Sequence, residues 1–323
     1  MLKLDEKKIR KGRPIGLPYQ GSKKKISKKI IEIIKQNFGT DKPIYDIFGG
    51  GGAITAECVL NGLEVHYNDL DNDITNAFER VISQDREWIK TLIISREEFF
   101  EIKAKENKTT DDFLKLLINS FGNSMKGYMY SKEISDLKYN LAKEIIKNHD
   151  VFDGYKQTET YKKVTSGLDW NWFNAKPEKS KILEQLQQLQ QLERFQRLQR
   201  LEQLQQLQQL ERLERLERID EVKATNKSYQ DFSKVSGAIL YLDPPYEGTT
   251  QEGYKSVSSS FDSQEFYDWA FEMAKTNIVI ISSYSISDER FEVVYSFDKA
   301  RGTFQGGQSN KGKIEKLFMV KNS

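Results

Sequence analysis

Pro43-Ile44-Tyr45-Asp46-Ile47-Phe48-Gly49-Gly50-Gly51-Gly52-Ala53 carries an apolar, β-branched and aromatic run straight into four consecutive glycines. The run reads as a buried strand over 43–48, the glycines as a tight loop, and Ala53 to Asn61 as a helix. Gly62 to Tyr67 then reads as a second strand ending at Asn68-Asp69, and Asp73 to Ser83 as another helix. A strand–helix–strand–helix series predicts an α/β fold with a doubly wound, mostly parallel sheet and a ligand at the strands' carboxyl ends. Upstream, Ile26, Ile30, Ile31 and Ile34 recur at helical spacing behind Ser22, which predicts a helix over 22–37 with Ser22 as its N-cap.

The series stops near Gln84 and resumes at about Ser236. Gly237 to Leu242 reads as a buried strand that runs into the stiff turn Asp243-Pro244-Pro245-Tyr246. A helix over 263–275, strands at 278–283 and 291–295, and a Gly-rich hairpin into Ile314–Val320 follow. Residues 1–83 and 236–323 are therefore expected to form one domain. It is interrupted by an inserted recognition domain over 84–180, a helical spacer over 181–220 and a return linker over 221–235.

The spacer has an unusual period. From Leu183 to Ile219 every third residue is apolar, and Gln, Glu or Arg fill the positions between. Composition argues for helix, but a three-residue repeat slips by about 60° per step against 3.6 residues per turn, so the apolar row spirals around the rod. A long helical element, a three-sided coil and a length-variable spacer all stay open, as does self-association through 183–219.

The formal net charge is +2, yet residues 1–40 hold twelve Lys or Arg against three Asp or Glu, a net of +9. Residues 41–82 hold two basic and eight acidic residues. A basic arm that includes Lys24, Lys25 and Lys28 is read as a phosphate-facing surface beside an acidic, ligand-holding unit. One cysteine, Cys58, excludes an internal disulfide, and two histidines make a Cys/His zinc site a poor fit, so no metal is expected. No run is apolar enough for a membrane span and no secretory h-region is evident, which predicts a cytoplasmic protein with no membrane partner.

The Asp243 turn brings together an acidic side chain, the Pro244 carbonyl and the Tyr246 ring. The two oxygens can each accept one hydrogen from an exocyclic NH₂ while the ring offers a stacking face, which suits a flat amine-bearing ring. Gly49–Gly52 lets the backbone approach a ligand closely, but the spacing does not match GxGxxG, so a dinucleotide pyrophosphate fits poorly. Asp69, at the end of the second strand, is placed to accept from ribose hydroxyls.

Pro18-Tyr19-Gln20-Gly21-Ser22-Lys23, the Asp46–Ala53 loop, Tyr67-Asn68-Asp69 and the Asp243–Tyr246 turn occur in one order. That order resembles the Dam-like DNA adenine-N6 methyltransferases: cofactor motifs, then a target-recognition insertion, then DPPY. Ser120 to Tyr128 resembles the inserted region of phage-type members. The resemblance implies a Rossmann-like S-adenosyl-L-methionine-dependent methyltransferase fold, with that molecule as methyl donor and double-stranded DNA as partner. It further implies that the adenine is flipped out of the duplex, and it suggests a restriction-modification setting.

By the same resemblance Tyr19, Lys23, Phe48, Gly49, Gly51 and Asp69 hold the donor, and Asp243 touches both donor and adenine. Pro244 and Tyr246 complete the catalytic turn. Asn123, Lys126 and Tyr128, with Trp170 and Trp172, are candidates for DNA contacts. RNA adenine and a non-catalytic DNA-binding or assembly module stay open as alternatives. Ser in place of Asp243 would mark a cytosine-N4 enzyme and Asn a protein-glutamine one, so the acidic residue favours adenine.

Overall fold

The computed structural model describes residues 1–18, 21–166, 204–219, 222–247, 261–297 and 314–321. The chain divides into two compact units: Met1–Leu17, Gly21–Glu79 and Ile219–Ser323 make the first, and Pro18–Gln20 with Arg80–Arg218 the second.

In the first unit seven strands form one sheet: β1 (Ile44–Asp46), β2 (Val65–Asn68), β3 (Ala224–Thr225), β4 (Ile239–Leu242), β5 (Ile278–Ser283), β6 (Phe291–Ser296) and β7 (Lys316–Val320). Their order is β3-β2-β1-β4-β5-β7-β6. The first five in this order are parallel to one another, and β7 runs against both β5 and β6. The chain leaves β1 in one direction for β2 and β3 and returns on the other side as β4. A topological switch point therefore lies between β1 and β4, where α/β sheets hold ligands.

Helices α1 (Ser27–Phe38), α2 (Ala53–Leu60), α3 (Asn72–Ile82) and α4 (Ser263–Met273) accompany the sheet. All four β4 residues are buried. Their side chains alternate: Ile239 and Tyr241 join Ile30, Ile34, Ile54 and Cys58 in one core, while Leu240 and Leu242 join Phe266, Ala270 and Met273 in another. A strand that is apolar at every position is thus apolar because both its faces are covered. The predicted α/β, doubly wound, mostly parallel sheet is the one observed.

Two local expectations are corrected. Lys23–Lys25 form a 3₁₀ turn and α1 begins only at Ser27, so Ser22 makes no capping hydrogen bond and does not start the helix. The tighter turn sets Lys23 apart from the helix, and its ammonium goes to Asp243 instead. Within 221–235, read as a plain return linker, Ala224–Thr225 pair with β2 as the sheet's edge strand. The Gly-rich connection before Ile314 lies outside the described residues.

The second unit is mainly helical: Arg86–Lys90, Arg96–Ala104, Thr110–Ile118, Lys132–Asn148, Glu159–Ser166 and Gln205–Glu214. Its helix starts follow ordinary capping chemistry. Asp85 and Ser95 each accept a backbone N–H of the first turn, and Thr109 with Asp112 makes a reciprocal capping box.

Residues 183–203 of the triplet repeat lie outside the described residues, but 204–219 form a ten-residue α-helix followed by a 3₁₀ stretch, Arg215–Ile219. Leu204, Leu207, Leu210, Leu213, Leu216 and Ile219 are all buried, and so are Gln206 and Gln209 between them. A row that drifts around a helix can be buried throughout only if the helix is covered on several sides. In the 3₁₀ stretch, with three residues per turn, Leu216 and Ile219 fall back into line. This end of the repeat is core, not a solvated rod.

Candidate active site

The site forms at one edge of the first unit's sheet. Asp46 ends β1, Asp69 follows β2, Asp243 follows β4, and Ser282 and Tyr284 lie at the end of β5. Because β7 runs backwards, its beginning comes to the same edge and brings Glu315. Parallel strands deliver their last residues there and the antiparallel strand its first.

Lys23 is the cation drawn into this acidic edge. Its Nζ lies 2.7 Å from Asp243 Oδ1 and 3.6 Å from Glu315 Oε1, and it donates to the Tyr246 hydroxyl at 2.5 Å. The Tyr246 hydroxyl in turn donates to Glu315 Oε1 at 2.7 Å and lies 3.2 Å from Asp243 Oδ1. Ser282 Oγ also donates to Glu315 Oε1, at 2.7 Å. Tyr284 packs edge-on against the Tyr246 ring, with 4.6 Å between centroids. Among the described residues, Lys23 and Tyr246 both meet the Asp243 carboxylate at Oδ1.

Burial shapes the charges. Desolvation pushes the Asp243 carboxyl up to about 6, with Lys23 pulling it down and Glu315 pushing it up. Burial works against the Lys23 ammonium, but Asp243 and Glu315 outweigh it and hold its pKa above the ordinary lysine value. Each of the two groups favours the charged form of the other.

The glycine loop is fixed by the first two strands. Gly49 N–H donates to the Asn68 carbonyl and Gly50 N–H to Asp69 Oδ2, each at 2.8 Å. Asp69 Oδ1 accepts from Asp71 N–H at 2.8 Å, so the carboxylate ties β2 to the loop while each oxygen keeps a second lone pair for a hydroxyl donor. Burial pushes Asp69 up to about 6, against these two N–H groups. Asp46, whose role the sequence reading left open, accepts from the backbone N–H and the hydroxyl of Thr55, at 3.1 and 2.7 Å. That pair locks the end of β1 to α2, and burial lifts the Asp46 carboxyl to about 7.

A carboxyl with a raised folded-state pKa favours folding while protonated, and that contribution is lost as pH climbs from the unfolded value, near 4, through the folded one. Asp46→Asn keeps an acceptor for Thr55 and removes the buried charge. Its thermal midpoint is expected to equal or exceed the wild-type value at pH 8, with a smaller drop between pH 5 and 8. A wild-type pH slope in Asp46→Asn would rule out this assignment.

The other expected residues are placed as follows. Gly51 O accepts from Leu17 N–H at 2.7 Å, which ties the arm to the loop. Phe48 is half-buried against Phe266 and Tyr229 in the α4-side core. Pro244 is buried. Lys24 and Lys28 donate to the carbonyls of Gly16 and Gly12, at 3.1 and 2.9 Å, and Lys25 is exposed.

In the second unit, Asn123 adopts a positive φ and donates to the Leu117 carbonyl, while Lys126 is exposed. Tyr128 corrects the expectation of a DNA contact. It is 6% exposed, its hydroxyl donates to the Ile94 carbonyl at 2.9 Å, and its ring packs edge-on to Phe99, so it is a core residue of the insertion. Tyr19, Trp170 and Trp172 lie outside the described residues. Among the described residues no group of His, Cys, Asp and Glu could hold a metal ion, and no helix is long and apolar enough to cross a membrane.

Tyr284, Ser282 and Glu315 were not foreseen. Tyr284 and Ser282 belong to an all-buried strand and its exit, and Glu315 sits before a strand whose reversed direction only pairing reveals. A single carboxylate beside a Gly-rich stretch gave no signal of its own.

An acidic turn after β4, a glycine loop after β1 and a carboxylate after β2 all lie on one edge of this sheet. Residues 19–145 match the family model of the D12 class N6 adenine-specific DNA methyltransferases. The matched stretch contains the glycine loop, Asp69 and the first part of the insertion. It supports a place for the chain among the adenine methyltransferases, and with it the Rossmann-like fold of S-adenosylmethionine-dependent methyltransferases that the sheet has. No curated protein matches the chain.

Proposed function

We propose that the protein transfers a methyl group from S-adenosyl-L-methionine to N6 of an adenine flipped out of double-stranded DNA, as a Dam-like, phage-type enzyme. The observation that carries this reading is the Asp243–Lys23–Tyr246 cluster at the carboxyl end of β4, on the edge that also bears the glycine loop. When bound, the donor supplies an electrophilic sulfonium methyl group.

The donor set fits that molecule. Asp69 follows β2 with acceptor capacity for ribose hydroxyls, and it is tied to the glycine loop through Gly50 N–H. Lys23, Phe48 and Tyr19 complete the donor-binding residues in this reading.

Adenine N6 is a weak nucleophile because its lone pair is delocalised into the ring. Lys23 and Tyr246 occupy Asp243 Oδ1, which assigns Oδ2 and the Pro244 carbonyl to the two N6 hydrogens. Those two acceptors pull the nitrogen toward tetrahedral geometry and localise its lone pair, and the Asp243 carboxylate stabilises the positive charge that grows there. Tyr246, braced by Tyr284, stacks on the extruded base, a contact worth roughly 1–3 kcal/mol. Lys25 and Lys126, both exposed, with Lys24, Lys28 and Asn123, supply backbone contacts to DNA.

Two measurements test the reading. Adding S-adenosylmethionine should raise the thermal midpoint. Incubating the protein and donor with unmethylated genomic DNA should place N6-methyladenine at a defined sequence, read by sequencing. Methylation confined to RNA would shift the substrate. Donor binding without any methylation would leave a binding module.

A further inference from the structure

We propose that Glu315 is a positioning residue of this site: it holds the Tyr246 ring in place through its hydroxyl and shares Lys23 with Asp243. The inference rests on the methyltransferase reading above and goes beyond it, since neither the DPPY turn nor the matched region contains this residue.

The geometry is specific. Glu315 Oε1 receives two hydroxyls, from Tyr246 and from Ser282, each at 2.7 Å, and stands 3.6 Å from Lys23 Nζ. Its side chain is 15% exposed and that of Lys23 10%, so neither group is there to meet solvent. A carboxylate buried to this degree is retained only where partners repay its desolvation, and here all three partners belong to the candidate site. The hydroxyl it grips sits on the ring proposed to stack on the base. Without that grip the Tyr246 hydroxyl would lose its anchor on the β7 side and keep those on Lys23 and Asp243.

The charges facing Asp243 come from four elements: Lys23 from the turn before α1, Tyr246 from its own turn, Tyr284 from the end of β5, and Glu315 from the start of β7. Asp46 at the end of β1, Asp69 after β2 and Tyr241 within β4 act at longer range. Of these, Glu315 opposes ionisation of Asp243 and Lys23 favours it. On top of burial, Glu315 therefore raises the lower end of the pH range in which Asp243 can accept from an amino group.

The test compares the full-length wild type with Glu315→Gln, Glu315→Ala and Ser282→Ala. The Asp243 carboxyl is followed by ¹³C NMR titration, assigned with Asp243→Asn, and single-turnover methyl transfer is followed across pH. Glu315→Gln keeps an acceptor for Tyr246 and loses the charge, so both the Asp243 midpoint and the acid limb of the rate should move to lower pH. Glu315→Ala should in addition lose about tenfold or more in transfer, the scale of a charged hydrogen bond, while Glu315→Gln retains most of it. Ser282→Ala keeps the Glu315 charge and removes a hydroxyl that offsets it, so both quantities should move by a smaller amount to higher pH, and this variant serves if a Glu315 variant does not fold. Unchanged midpoint and acid limb in Glu315→Gln and Ser282→Ala would overturn the proposal. If the wild type methylates no nucleic acid, the functional reading fails, and the NMR titration still decides whether Glu315 controls Asp243.

Discussion

Asp243→Ala should lower single-turnover methyl transfer to unmethylated DNA by about a hundred- to a thousandfold, the loss seen when one preorganised electrostatic partner of a reacting group is removed. The carboxylate follows β4 and, among the described residues, meets Lys23 and Tyr246 at Oδ1, so in the proposed reading its other oxygen is the acceptor for the substrate amine. The fold should survive the change. Lys23 keeps Glu315 3.6 Å away, so truncating Asp243 does not leave the ammonium buried without a counter-charge.

Asp243→Asn divides the effect. The amide oxygen can still accept, but the negative charge that answers the growing charge on N6 is gone, so an intermediate loss is expected. The wild-type rate should rise with pH through about 6, where the carboxyl ionises, and this limb should vanish in Asp243→Asn. Tritium transfer from labelled donor measures both. Wild-type turnover in a folded Asp243→Ala protein would remove Asp243 from the reaction.

Most of the first unit could be read before any coordinates, because its strands are apolar on both faces and its turns are marked by Gly, Pro or Asp. Strand 278–283 and the two helices after the glycine loop and after Asp69 lie where the periodicity puts them, within a residue or two. What escaped was fixed by partners distant in sequence. Ala224–Thr225 has no apolar run of its own and is a strand because Asp69 N–H bonds the Thr225 carbonyl and Thr225 Oγ1 bonds Asn68.

Tyr128 reads as a recognition residue in the sequence because it is one of the aromatic and polar residues of the insertion. Its burial depends on Phe99, Ile94 and Gln206, which lie 29 or more positions away. The triplet repeat reads as helical and residues 205–214 of it are an α-helix, but the burial of its polar positions has no signal in the sequence. Its period suits neither an amphipathic helix nor a coil, and the described end resolves the conflict by burying Gln206 with the leucines and giving its amide to Asn119 and Ile94. Self-association through the repeat would have to use residues other than these buried leucines.

Gly52→Ala should destabilise the first unit by roughly 2–5 kcal/mol, the sum of a left-handed conformation at about 1–2 and an overpacked core at about 1–3. Gly52 sits at φ +69° in the N-cap position of α2, where few side-chain-bearing residues are comfortable. Space is the harder constraint. A Cβ there would lie 2.2 Å from Cε2 of Phe78, and one at Gly49 would lie 2.4 Å from Cε2 of Tyr67. Those two rings are stacked on each other at 4.3 Å between centroids and are fully buried, and the Tyr67 hydroxyl is bonded to the Gly50 carbonyl. Neither ring can retreat without breaking the stack, so the loop must move, and with it the Gly50 N–H that holds Asp69.

Gly62 provides the control. It has the same φ of +69°, but a Cβ there meets nothing within 4 Å, so Gly62→Ala pays the conformational term alone. A thermal midpoint lower by about 5–15 °C in Gly52→Ala is expected, with a distinctly smaller drop in Gly62→Ala. Stabilisation by added S-adenosylmethionine should be lost in the first variant and kept in the second, because only the first displaces the loop beside Asp69. Equal drops in the two variants would show that the stacked rings yield, and that the glycines serve conformation and not close packing.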